Sequence, residues 1–320
     1  MRRRRARTGT LLAAAALLAG LLGTGGSAAG AGGVRGEALV HAAGAAPQNA
    51  VQNAVQGENC DTGTSLPPKQ QVGARIQEIR KRGYLIVGVD QSAYNWGYRD
   101  SQTGRIEGFD IDLARAVAQS VLGDPDKVRL KTVATADRVK LLQAQPQPID
   151  LIARAMTITC DRLAQISFSA PYFKVSQRVV APKAAHARSV AEALGGKRVC
   201  AALNSSSHNE LKANPHGAAS VVTPDNQLDC LVLMELGEAD ATLSDSSLAA
   251  AMVAQDQTME LAGESFLPTY MGVGMNKNDT DLVAWVNQVL VDWRNSGGWQ
   301  ASYDRWLRPG MGDPGPYRPW

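Results

Sequence analysis

Apolar and polar positions alternate differently in three stretches of the chain. Residues 11–22 (LLAAAALLAGLL) are an almost unbroken apolar run, and residues 30–70 carry no sustained period. From residue 76 onward, short apolar runs alternate with amphipathic stretches. Runs of four to eight apolar residues bounded by turn formers read as buried strands, and apolar positions spaced three and four apart read as helices. The pattern predicts a helix at 76–82 ended by Gly83, a strand at 84–89 (YLIVGV) and a helix at 113–122 entered through the segment GFDID. A strand at 128–132, a helix at 137–145 and strands at 149–153 and 177–181 follow. The pattern then restarts: helices at 189–194, 208–213, 227–236 and 248–255 alternate with strands at 197–202, 220–222 and 241–243. An extended segment at 270–276 leads to closing helices at 282–296 and 299–307.

Such alternation argues for α/β sheets with helices on both faces. Two successive sets suggest two lobes, and 320 residues suit about two domains. Ligands of open α/β sheets lie beyond the C-terminal ends of the strands, so the loops there are the places to inspect.

Four loops carry candidate chemistry. Residues 154–162 (RAMTITCDR) follow a buried strand and combine backbone N–H groups, hydroxyls and Arg162. An arginine fork suits a carboxylate because it donates two parallel hydrogen bonds and stays charged; a surface ion pair is the plain alternative. Asp245 closes the strand-like ATLSD segment, where it could meet an ammonium group or simply cap the next helix. Residues 204–207 (NSSS) could offer donors to an anion or serve as an ordinary helix N-cap. Tyr94, Trp96 and Tyr98 follow the first strand and could wall a small ligand, although strand alternation turns at least one of them into the core.

Composition narrows the classes. Hydrophobic residues make up 44% and charged residues 20% of the chain, an ordinary globular balance. The net charge of +3 comes mostly from the arginines among residues 2–7, so no basic surface for nucleic acid or membrane is implied. Those arginines, the apolar run of 11–22 and the small residues Ser27, Ala28 and Ala29 read as a cleavable secretory signal over 1–29. Twelve helical residues rise only about 18 Å, short of the roughly 30 Å hydrocarbon core. The first cysteine is Cys60, too far on for a lipid-modified anchor. Residues 30–70, rich in Ala, Gly, Gln and Asn, read as a flexible linker. Four cysteines in an exported chain favour disulfides, with three possible connectivities. No G-x-S-x-G, H-E-x-x-H or phosphate loop is present, and His41, His186, His208 and His216 show no metal spacing. Neither a metal nor a cofactor is expected, nor enzymatic turnover.

In order, LIVGV, GFDIDLA (108–114), DLIARAMTITCDR (150–162), ISFSAPYF (166–173), GKRVC (196–200) and GEADATLSD (237–245) resemble the polar amino-acid solute-binding proteins of ABC importers, bacterial extracellular solute-binding protein family 3. The likeness covers about 75–308. The VDQxxY start at Val89 and the cysteines in MTITC and KRVC look most like an actinobacterial, glutamate-type branch. The resemblance implies a type II periplasmic-binding-protein fold, α/β and two-lobed, with the ligand cleft between the lobes. Lobe 1 is expected at 71–181 plus 273–310 and lobe 2 at 182–272, hinged near 180–183 and 272–276. It implies that Arg162 holds a ligand α-carboxylate with help from Thr157 and Ala155, that Asp245 holds the α-ammonium, and that Ser206 donates to the carboxylate. An aromatic cover maps to Tyr94 or Trp96. Arg138 and Arg154 are the candidate partners of a side-chain carboxylate, favouring glutamate or aspartate, with glutamine or asparagine next. Cys200 with Cys230 is the first expected disulfide, which leaves Cys60 with Cys160. The implied role is an exported monomer that captures an amino acid for ABC permease subunits. A sensor read by a membrane partner and, more remotely, an exported enzyme on the same fold are the rival readings.

Overall fold

A computed structural model describes residues Cys60–Asp313; the expected signal segment and the linker up to residue 59 lie outside the described residues. Two five-stranded sheets organise the described residues, and the largest apolar cluster runs from one to the other.

The first sheet is built from β1 (Leu85–Val89), β5 (Val128–Thr132), β6 (Leu151–Ile152), β7 (Ser167–Phe168) and β13 (Gly274–Met275) in the order β5-β1-β6-β13-β7. β1 runs parallel to both β5 and β6, and β13 returns antiparallel between β6 and β7. The apolar run of β1 is explained by this central place, which buries both faces. Around it lie α1 (Ala74–Arg82), α2 (Phe109–Leu122), α3 (Arg138–Gln143), α4 (Cys160–Gln165) and the closing helices α9 (Thr280–Asn295), α10 (Gly298–Trp306) and α11 (Arg308–Met311). A small sheet of β2 (Ser92–Ala93), β3 (Gly97–Arg99) and β4 (Ile106–Glu107) fills the β1–α2 connection. At the entry to α2, Gly108 has φ 134° and a Cβ there would lie 2.5 Å from the Trp96 carbonyl oxygen. Only glycine fits so close an approach at that φ, and the hairpin carbonyls of Asn95 and Trp96 then accept the N–H groups of Phe109 and Asp110.

The second sheet takes the order β10-β9-β11-β8-β12. β9 (Arg198–Cys200), β10 (Ser220–Val222) and β11 (Ala241–Asp245) run parallel, whereas β8 (Phe173–Pro182) and β12 (Met259–Met271) are antiparallel additions. α5 (Val190–Leu194) and α6 (Ser206–Ala213) cover one face, α7 (Asp229–Glu235) and α8 (Ser246–Gln255) the other.

Three expectations change. β8 pairs with β11 and β12 along its length, so residues 173–181 run in the second sheet, not in lobe 1. The chain crosses between the sheets earlier, where Ser169 N–H meets the Val273 carbonyl and Tyr172 N–H meets the Met271 carbonyl. The expected hinge at 180–183 therefore lies within and just beyond a paired strand, while the one at 272–276 begins at the crossing and then enters β13. Finally, residues 60–69 are strapped down, contrary to the flexible-linker reading. Cys60 is bonded to Cys160, Ser65 Oγ donates to the Phe168 carbonyl at 2.7 Å, and Asn287 Nδ2 donates to the Leu66 carbonyl at 2.6 Å. Periodicity is silent about such a segment because its partners are distant in sequence. The second disulfide joins Cys200 to Cys230, so both expected pairings are present.

Candidate functional site

The loop after β6 faces the second lobe and is held from beneath by the interlobe crossing. Ile158 N–H donates to the Tyr270 carbonyl and Gly272 N–H to the Met156 carbonyl, while Thr157 bridges to Met271. This pins Thr157 beside the lobe boundary. Its Oγ1 donates to Asp245 Oδ2 at 2.9 Å and lies 3.2 Å from Ser206 Oγ. Asp245 ends the fully buried β11, and it does not cap α8 through its side chain. Its Oδ1 instead accepts from Gln177 Nε2 at 3.1 Å and from Ser206 Oγ at 3.4 Å. Ser207 Oγ in turn donates to Gln177 Oε1 at 2.6 Å. Burial pushes the Asp245 carboxyl above its ordinary range, against the hydrogen bonds of Thr157 and the charges of Arg162 and Arg138.

Arg162 makes no surface ion pair. It is buried, with Nη1 donating to the Thr157 carbonyl at 2.6 Å and Nη2 to the Asn204 carbonyl of the other lobe at 2.8 Å. Burial lowers its pKa to about 10, opposed by the charge of Asp245. It remains a cation at neutral pH. Asn204 sits at φ 59°, a left-handed conformation that asparagine tolerates better than most residues. Its Nδ2 reaches the Ala136 carbonyl at 3.4 Å, and the cap of α6 is the next residue, Ser205, which accepts from His208 N–H.

The structure thus brings together Arg162, Thr157, Ser206 and Asp245. It separates other candidates. The Ala155 N–H is taken by Asp110 Oδ2 at 2.8 Å, so it is not an open donor. Trp96 is 1% exposed and packs edge-on against Phe109 and Phe173, a core residue and not a ligand wall. Tyr94 stacks edge-on with Tyr98 and lines a small gap against Ser247 and Ala250 of α8. Arg154 is ion-paired with Asp90, Nη2 to Oδ2, at 2.8 Å. Arg138 is buried and donates Nε to the Thr135 carbonyl at 3.0 Å, with no carboxylate in ion-pair distance among the described residues. Burial, then the neighbouring Arg162 and Arg154, depress its pKa well below the arginine range.

Arg138 and Arg162 line a cavity of about 270 Å³ between the lobes, with Thr135, Met156, Asn204 and Asn209 among its other walls. Asp245 is not part of its lining and lies behind the Thr157–Ser206 contact.

Sequence reasoning passed over four site residues. Asp90 stands at the C-terminal end of β1, where the strand-end rule could have flagged it. Asp110 appears in the sequence only within the GFDID segment that leads into a helix; in the structure it is 1% exposed, accepts from Ala155 N–H and Tyr172 Oη, and is pushed up to about 7 by burial. Gln177 and Asn226 carry no local signal, since their roles exist only across the sheet and across the cleft. No group of three or more His, Cys, Asp or Glu suited to a metal occurs among the described residues.

This architecture matches solved binding proteins. The structure of the solute receptor for L-cysteine of Neisseria gonorrhoeae superposes with a TM-score of 0.69 at 26% identity, covering 75% of this chain and 96% of that one. Such likeness establishes the two-lobed periplasmic-binding-protein fold. A glutamine-binding protein of Geobacillus stearothermophilus is 34% identical over 203 residues, 63% of this chain and 76% of its own length. The ABC transporter glutamine-binding protein GlnH of Bacillus subtilis (strain 168) is 28% identical over 233 residues, 73% and 84%. A family profile matches residues 85–309, from β1 through both sheets to the closing helices. Sharing both the sequence signature and the lobes that carry it, this chain belongs to the bacterial extracellular solute-binding proteins, family 3.

Proposed function

We propose that the chain captures an amino acid with an acidic side chain, glutamate or aspartate, outside the cell and presents it to the permease subunits of an ABC importer. Arg162, with Thr157 and Ser206, would take the α-carboxylate and Asp245 the α-ammonium. Because Arg162 and Thr157 sit on one lobe and Asp245 and Ser206 on the other, a ligand holding both groups favours the closed lobes by its differential affinity for them. The observation that carries the side-chain assignment is Arg138, a buried cation beside this seat with no carboxylate partner among the described residues. Of the arginines there, Arg154 is paired with Asp90 and Arg162 feels Asp245 and the cavity-lining Asp161, which leaves Arg138 as the cation that a ligand side-chain carboxylate would pair. Relatives named as glutamate/aspartate binders, such as the import solute-binding protein of Escherichia coli (strain K12), also support the reading. Glutamine is the second reading, favoured by the names of the two glutamine-binding relatives.

Calorimetry with glutamate, aspartate, glutamine and arginine tests the assignment. Glutamate or aspartate is expected to bind tightest, and Arg138→Gln should weaken the acidic ligand by about 1.5–3 kcal/mol, the worth of a charge-assisted hydrogen bond, while leaving glutamine nearly unchanged. Tighter binding of glutamine than of either acid by the wild type removes the acidic reading.

A further inference from the structure

The guanidinium of Arg154 is held unlike those of its two neighbours. Nη2 meets Asp90 Oδ2 at 2.8 Å, Nη1 donates to Thr135 Oγ1 at 2.9 Å, and Nη2 also reaches Asn226 Oδ1 at 3.2 Å. A carboxylate, a hydroxyl oxygen and an amide oxygen, from three separate segments and both lobes, converge on one planar cation. Asp90 is aimed by the backbone: its Oδ1 accepts from the N–H groups of Gln91 and Ser92 at 2.8 and 3.0 Å, which leaves Oδ2 for Arg154. Arg154 is 3% exposed and Asp90 8%. A carboxylate this buried is costly without a counter-charge, which either the protein or a ligand must supply. The nearby Asp110 offers no alternative seat, since its two oxygens are taken by Ala155 N–H and Tyr172 Oη.

We infer that Arg154 fills, from within the chain, a guanidinium site formed by Asp90, Thr135 and Asn226, and that by filling it Arg154 sets the cleft against ligands with cationic side chains. Arg154 is then a specificity-determining residue that acts through Asp90. While it is present, an arginine or lysine ligand finds Asp90 already taken and meets three like charges, with only Asp245 and the exposed rim residue Asp161 as carboxylates among the described residues of the cleft. Without it, a ligand guanidinium can take over the same acceptors, and because Asn226 belongs to the second lobe, the site is complete only when the lobes meet. The inference rests on the cleft being the amino-acid site, but not on the natural ligand being acidic.

The test is calorimetry of the purified chain with L-arginine, L-lysine and L-glutamate. Arg154→Ser is expected to bind L-arginine about ten-fold or more tighter than the wild type, the scale of a charged hydrogen bond gained. Arg154→Lys, which keeps a cation beside Asp90, should show no such gain, and the double variant Asp90→Asn/Arg154→Ser should lose it. A folded Arg154→Ser, by circular dichroism and thermal melt, with arginine and lysine affinities unchanged from the wild type overturns the inference. So does a gain that persists in the double variant. Should Arg154→Ser not fold, Asp90→Asn supplies the reading: with Arg154 released from its partner, L-glutamate should bind several-fold tighter, and an unchanged affinity overturns the proposal. A wild type that prefers glutamine to glutamate defeats the acidic-ligand reading alone, and leaves the arginine gain of Arg154→Ser to decide this one.

Discussion

The two walls of the cleft are charged by different means. The first lobe presents three arginines on the segment from 138 to 162, each held differently: Arg154 by Asp90, Arg162 by two backbone carbonyls, and Arg138 by one. The second lobe presents a single carboxylate, Asp245, cradled by neutral donors from Gln177, Ser206 and the facing Thr157. A buried charge solvated by neutral hydrogen bonds keeps its acceptor geometry when its charge is removed, whereas a buried cation cannot be replaced by a smaller side chain without orphaning its acceptors. The first wall should therefore be the less forgiving.

The largest expected effect follows directly. Arg162→Ala should weaken amino-acid binding by about 2–5 kcal/mol, because the ligand carboxylate is left desolvated without its partner. Asp245→Asn should fall toward the lower end of that range, since Thr157, Ser206 and Gln177 can still engage the amide oxygen. Titration calorimetry on both variants decides the matter, and a larger loss for Asp245→Asn would reverse the comparison.

A second difference concerns protons. Beneath the first wall, Asp110 has a carboxyl pushed up to about 7, chiefly by burial, from an ordinary 3.8. Between those values the folded chain binds the proton more tightly than the unfolded chain does. Stability from this group is thus fully present below about 4 and declines as pH rises to about 7. Asp110→Asn should flatten that slope in denaturant titrations between pH 4 and 8. A variant that keeps the wild-type slope would mean that other carboxyls, Asp245 among them, carry it.

The smallest effect probes the contact between the walls. Asn204→Gly keeps the left-handed backbone and the carbonyl that accepts from Arg162, but removes the Nδ2 contact to Ala136. One exposed hydrogen bond contributes about 0.5–1.5 kcal/mol. A modest rise in the ligand dissociation rate is expected in stopped-flow traces, with little change in the association rate. An unchanged dissociation rate would show that the Asn204 side chain adds nothing to the interlobe contacts made by Arg162, Arg154 and Thr157.

Much of this was legible along the chain, and the limits are instructive. β1, β5 and β6 of the first sheet and the β9–β11 core were visible as short local patterns with their own turn signals, whereas the two-residue β7 was not. β12 was not, apart from its last residues: over Met259–Met271 its burial is irregular and its register against β8 shifts twice, so no period of two survives. Arg162 and Asp245 could be named from their loops, and Cys200 with Cys230 from their positions in one lobe. The fates of Arg154 and Ala155 could not, because Asp90 and Asp110, the residues that occupy them, are brought over from 64 and 45 positions away.

What the sequence determined by itself, then, is the succession of elements, the family signature and the identity of the charged side chains that a cleft would contain. Local periodicity and short motifs encode these, and neither depends on distant partners. Only the tertiary structure decided which of those charges are already satisfied. It placed β8 in the second sheet, turned Trp96 into the core, closed Arg154 onto Asp90 and left Arg138 with a lone carbonyl. The physical reason is that the state of a buried charge depends on which groups lie within a few ångströms of it, and folding draws those groups from both lobes.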